Sequence, residues 1–183
     1  SVEGVAQLAV QASDEGTLTH SADEVALLLE NQGAVYDGHA ARDAIFCGID
    51  VPATRLAPAL AMLAEIVATP AYDEETVARH VAFRLADIEQ AEAQPGWIAK
   101  RRLREELFRG RDARPAGGTA DTVSAITPDD VRSFHASHWS IGSATLVIVG
   151  QLPDDTPPGM PHRLDDEVAH RPVLGLRIGA AGC

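Results

Sequence analysis

Cysteine, lysine, aromatic residues and long apolar runs are all scarce in this chain of 183 residues. Its two cysteines, Cys47 and Cys183, lie far apart and one closes the chain. That spacing excludes a disulfide framework and a cysteine-based zinc site, and it favours a reducing compartment. No stretch approaches the roughly 18 uninterrupted apolar residues that a membrane-spanning helix needs. The opening SVEGVAQ lacks the charged-then-apolar layout of a secretory signal, so a cytoplasmic location is expected. The first residue is not Met, which fits a fragment. Positive charge is also in short supply: 15 basic residues, of which only Lys100 is lysine, face 27 acidic ones, for a net charge of −12. The acids are spread along the chain without a tail. Nucleic acid and anionic lipid are therefore not expected as partners.

With 45% hydrophobic residues, the chain can build one compact domain with a real core, whereas two full domains would be crowded. Val5, Leu8, Ala9 and Ala12 stand at helical spacing between Gly4 and Glu15, with Gly16 placed to end the helix. Ser21 and Glu24 form a capping box for a second helix that Gly33 stops. From Ala34 to Arg42 and from Ala44 to Val51 the pattern turns to period two, which predicts a hairpin. Leu56, Leu60, Leu63 and Val67 mark a helix between Pro52 and Pro70. Asp73, Glu74 and Glu75 suit the positive end of the next helix, whose stripe is Val77, Val81, Leu85 and Ile88 and which Pro95 ends. A further helix from Ile98 to Phe108 carries Lys100, Arg101, Arg102 and Arg104, expected to form a solvated face.

Residues 109–125 lack apolar periodicity and are expected to form a surface loop. Thr127 and Pro128 start another helix, and Ala144–Val149 reads as a continuous apolar strand pairing with the hairpin. The prolines from Pro153 to Pro161 predict an extended linker beyond a boundary near 152, and Val173–Ile178 reads as the first strand of a following unit. The sum is an α+β fold, a layer of helices on a mixed or antiparallel sheet. Three strands make a narrow sheet with exposed edges, so further strands are expected from missing sequence or from a partner.

Nucleophilic chemistry finds little support. There is no G-x-S-x-G elbow, Cys47 sits in a half-buried strand pattern, and Gly117-Gly118-Thr119 lacks the lysine of a phosphate loop and counts as a turn. Trp97 and Trp139 read as core or interface anchors. His135 and His138, at i and i+3 near a helix end, supply too few ligands for a metal and suit the helix dipole. His80 precedes Asp87 by seven residues with no third partner in view. His20, His39, His162 and His170 have no companion acid or cysteine at ligand spacing.

A family resemblance is carried by G4-V-A-Q7-L-A-V10-Q11 with G16-T17, the hairpin and the P70-A-Y-D-E-E helix entry. It continues through G117-G118-T119, I126-T-P-D-D-V-R-S-F-H135 and the closing L146-V-I-V-G150. Over about residues 4–152 the chain resembles one domain of the insulinase-like, pitrilysin-type metallopeptidases, the group that includes the mitochondrial processing peptidases and the core subunits of a respiratory complex. Active members carry H-x-x-E-H on one helix: two imidazoles on one face hold zinc and the Glu acts as general base. By that resemblance, the two histidine positions here are Gln7 and Gln11, the glutamate position is Val10, and the distal carboxylate falls on Asp87. An amide oxygen is a poor zinc ligand, valine accepts no proton, and one carboxylate cannot hold the ion. No catalytic or metal residue is therefore expected in this chain, and zinc is expected in a partner half.

The resemblance implies a non-catalytic half that pairs with a zinc-bearing half to enclose a chamber for unfolded peptide, bound extended along a sheet edge. The family's Arg and Tyr that assist catalysis in trans belong to a second domain and find no counterpart here. The alternative is a structural assembly subunit like the respiratory core proteins. An active hydrolase with an unfamiliar site is the third reading, opposed by Gln7, Val10 and Gln11.

Overall fold

The computed structural model describes residues 2–41, 44–108, 117–139 and 144–149, and the backbone of 173–179. In chain order the helices are α1 (Val5–Gln11), α2 (Ala22–Gln32), α3 (Leu56–Ala68), α4 (Glu74–Glu92), α5 (Pro95–Leu107), α6 (Ala120–Ser124) and α7 (Pro128–His138). The strands are β1 (Val35–Ala40), β2 (Ala44–Asp50), β3 (Ala144–Val149) and β4 (Val173–Gly179). Local chemistry accounts for most boundaries. Ser21 and Glu24 exchange capping bonds at the start of α2, and Gly33 ends it at φ 63°, a left-handed conformation open to glycine. Asp73 accepts from the Thr76 N–H to cap α4, and Thr127 and Asp130 form the box that starts α7 with Pro128 in its first turn.

The expected loop over 109–125 needs correction where it is described: Thr119 and Thr122 cap the five-residue α6, and Val123 is fully buried. A helix this short has no room for a periodic stripe, and its capping pair is Thr-x-x-Thr where the familiar signature ends in Glu or Gln. Pro95, read as a stop, also takes the first-turn position of α5, which Gln94 precedes.

All sheet pairings among the described residues are antiparallel, in the order β1-β2-β4-β3. This corrects two expectations. Ala144–Val149 does not pair with the hairpin, because β4 lies between them. Val173–Ile178 does not open another unit; it is the strand that joins hairpin and β3 into one sheet. A β-branched run apolar on both faces needs a hydrogen-bonded neighbour, and β4 supplies the full ladder, from Ala144 opposite Ile178 to Val149 opposite Val173. The linker read over Pro153–Pro161, His162 and His170 lie outside the described residues.

Helix α1 is the hub. Val5, Leu8, Ala9 and Val10 are each at most 2% exposed, packed among α4, α7, β1 and β2. Burying side chains of this size stabilises by roughly 1.5–3 kcal/mol each for the larger ones. Its C-terminal carbonyls, which lack helical partners, are met by side chains: the Tyr72 hydroxyl donates to Ala9 O at 3.0 Å and the Ser13 hydroxyl to Val10 O at 2.9 Å. The Arg132 guanidinium in turn donates to Tyr72 O at 2.7 Å, so α7 holds the residue that holds α1.

Candidate functional site

The positions that the sequence points to lie on α1, where it crosses β1. Val10 is wholly buried and points at the backbone of Gly38; a Cβ added at Gly38 would stand 2.8 Å from Val10 Cγ2 and 3.0 Å from the Tyr36 hydroxyl. Only glycine permits so close a crossing. The Tyr36 hydroxyl is hydrogen-bonded to Ser13 Oγ at 2.8 Å, and burial raises its pKa. Burial likewise pushes the neighbouring Cys47 thiol up to about 11, so it stays protonated and inert. Gln7 is half-buried, and its Oε1 accepts from the Ala40 N–H at 3.1 Å.

That last bond matters because β1 is a sheet edge among the described residues. Ala41 N–H donates to Ala44 O at 2.8 Å, which makes His39 and Phe46, Asp37 and Gly48, and Val35 and Asp50 the hydrogen-bonded pairs of the hairpin. Tyr36, Gly38 and Ala40 therefore turn their N–H and C=O groups outward along the free edge. Gln7 occupies the last of the three N–H groups. At the other end of the edge a groove of about 440 Å³ opens between α2 and β1, lined by Asp14, Glu15, Asp23, Glu30, Leu29 and Tyr36 among others. Burial raises the Asp14 carboxyl to about 6.

Asp87 is not joined to the α1 positions. Its carboxylate side chain is 62% exposed and lies 4.0 Å from Arg84, one turn back on α4. His80 does not turn to Asp87 either: its Nε2 donates to Glu15 Oε1 at 2.8 Å, while Arg79 binds the other oxygen of Glu15. His135 Nε2 donates to Val67 O at 2.9 Å, with burial lowering its pKa, and His138 stacks on Phe134; the two rings do not converge on a common point. His39 stacks on Phe46. His20 has a companion acid after all. Its Nδ1 lies 2.7 Å from Glu65 Oε1, which also accepts from the Thr17 and Thr19 hydroxyls, and these donors hold the Glu65 carboxyl down to about 2. Neither this knot nor the Glu15 cluster shows in the sequence, because each joins residues 45 or more positions apart with no local pattern.

These residues do not fit a zinc ion. Gln7 has committed its amide oxygen to a strand, Val10 offers no donor and no space, and Asp87 is mostly exposed beside Arg84. Among the described residues no group of three or more His, Cys, Asp and Glu side chains is placed to hold a metal. The arrangement can instead present an extended edge backed by a rigid helix.

The family model for Insulinase (Peptidase family M16) matches residues 1–119. Among curated proteins, the chain is 23% identical over 151 residues to an uncharacterized zinc protease of Rickettsia bellii, covering 82% of this chain and 37% of that protein. It is 25% identical over 153 residues to the non-peptidase homolog YmxG of Helicobacter pylori, covering 83% and 35%. Among solved structures, the peptidase M16 inactive domain from Pseudomonas fluorescens superposes with a TM-score of 0.69 at 27% identity, over 74% of this chain and 34% of that one. The chain thus spans about a third of the length of the proteins it matches. With the family model matched over residues 1–119, well over half of the sequence, this chain belongs to the insulinase family, peptidase family M16.

Proposed function

We propose that this chain is a non-catalytic part of an insulinase-family peptidase that pairs with a zinc-bearing half and helps enclose a chamber for unfolded peptide. The observation that carries the reading is the pairing of a sealed helix with an open edge: Val10 closes the general-base position against Gly38, while Tyr36 and Gly38 leave outward N–H and C=O groups on β1. A peptide lying extended along β1 gains main-chain hydrogen bonds without any chemistry being asked of α1. The non-peptidase name of the Helicobacter pylori relative and the inactive domain from Pseudomonas fluorescens support the same reading. Zinc belongs to the partner half in this account, and neither nucleic acid nor membrane is a partner.

One observation favours the second reading, a structural assembly subunit. Gln7 already occupies the Ala40 N–H, which shortens the edge offered to a peptide. The test is to mix the chain with a zinc-bearing insulinase-family half from the same source and follow cleavage of an unfolded peptide. Cleavage that rises on mixing supports the peptidase pairing. A stable complex with unchanged cleavage supports the structural subunit.

A further inference from the structure

The charge of this chain is unevenly placed. Although acids outnumber bases by 27 to 15, seven of the 15 basic residues lie between positions 100 and 114. Four of these, Lys100, Arg101, Arg102 and Arg104, are on α5, a helix that buries none of its residues. Ile98, Leu103, Leu107 and Phe108 are 47%, 59%, 66% and 49% exposed, so α5 and the residue that ends it present apolar as well as basic surface to water. Scattered single apolar residues on a surface are ordinary; three along one exposed helix and a fourth at its end, with a basic flank, are not.

Beside α5 runs a groove of about 550 Å³, with Arg84, Trp97, Lys100, Arg101 and Arg104 on its walls and Gly117–Thr119 at its far side. Several of these groups are already committed. Arg84 Nε donates to Gly117 O at 3.0 Å, and Arg101 bridges Glu92 and Glu105 while its guanidinium lies 5.5 Å from the Trp97 ring centre. Those ion pairs neutralise the two glutamates that border the groove. Lys100 and Arg104 have no ion-pair partner among the described residues, so two cations stand at the groove beside exposed leucines, against one further acid, Asp121. Arg102 adds a third charge, shared with Glu105, on a side chain that is 77% exposed.

From this we infer that the α5 face and its groove form a docking site for an acidic, leucine- or phenylalanine-bearing segment of a partner protein. Charge complementarity selects the occupant. Such a segment places carboxylates against Lys100 and Arg104, and its apolar side chains cover Leu103 and Leu107. A basic or neutral segment would leave the cations unpaired, and the net charge of −12 repels most acidic macromolecules from the rest of the surface, which makes this patch the selective one. The site is separate from the β1 edge, so it stands or falls independently of the peptide-chamber reading.

A fluorescein-labelled twelve-residue peptide of alternating Glu and Leu, titrated with the full chain at low salt, tests the assignment. The expected result is saturable binding that shifts Trp97 emission and weakens steadily as salt rises. Lys100→Glu with Arg104→Glu should weaken binding by about tenfold or more, because two attractions become repulsions. Leu103→Ser with Leu107→Ser should weaken it at constant salt dependence. Both pairs are exposed, so circular dichroism should show an unchanged fold. Equal binding of a Lys-and-Leu peptide, or binding that survives the double charge reversal, overturns the inference. Preferential binding to phosphatidylserine vesicles over the acidic peptide also overturns it, in favour of a membrane surface.

Discussion

Helix α1 buries four of its seven residues, while α5, with thirteen, buries none. On α1 each position is fixed by a neighbour: Val10 by Gly38, Gln7 by Ala40, and the end of the helix by Tyr72 and Ser13. On α5 the strongest contacts are ion pairs at the surface, which contribute little to stability. The helix on which the family resemblance would put the zinc motif is thus part of the core, and α5, which carries none of that motif, keeps its surface exposed. On the non-catalytic reading proposed above, α1 serves folding and the surface left for binding lies on α5.

The largest break in this contrast comes from a glutamate at position 10. Val10→Glu places a carboxylate where nothing can pair it and where Gly38 leaves no room, and it should destabilise the chain by about 3–5 kcal/mol, read as a lower denaturant midpoint. The opposite face of the same contact gives a smaller effect. Gly38→Ala drives a methyl into Val10 and should cost about 1–3 kcal/mol, with Val10→Ala in the same chain returning part of it; additive losses would show that the two do not touch. Tyr72→Phe removes the donor to Ala9 O and should cost about 1–3 kcal/mol, since the carbonyl it leaves is buried. Leu103→Ser with Leu107→Ser on α5 should change stability by no more than about 0.5 kcal/mol per site.

Acid separates the regions in another way. Asp14, raised to about 6 by burial, binds its proton in the folded state before it does so unfolded, so its contribution makes the chain more stable as pH falls from about 6 towards the usual carboxyl range near 3.8. Glu65, held to about 2, contributes stability that is present above its unfolded value of 4.5 and is lost as pH falls through about 2. Asp14→Asn should abolish the first slope in denaturation measured between pH 2 and pH 7, and leave the second.

The sequence made the helices legible where caps and stripes coincide: α2, α3, α4 and α7 follow from Ser21, Leu56, Asp73 and Thr127 with their neighbours. The hairpin was legible from the period-two runs Ala34 to Arg42 and Ala44 to Val51. Strand order was not, because β4 is drawn between β2 and β3 by hydrogen bonds formed across a long stretch of chain, and nothing local in V-L-G-L-R-I-G says which neighbour it takes. That Gln7, Val10 and Gln11 stand where the resemblance puts the zinc motif was read from the sequence. How they pack was not, since the fit of Val10 onto Gly38, and the bond from Gln7 to the strand edge, are contacts between residues about 30 positions apart.

Helix α1 acts here as a packing element, with Val5, Leu8, Ala9 and Val10 buried and no side chains placed to hold a metal among the described residues. Metal analysis of the purified chain, loaded with zinc and then dialysed, addresses that claim alone. The expected result is far less than one zinc per chain, unchanged by Gln7→Ala, Gln11→Ala or Asp87→Ala. One zinc per chain that disappears with any of those substitutions would contradict it.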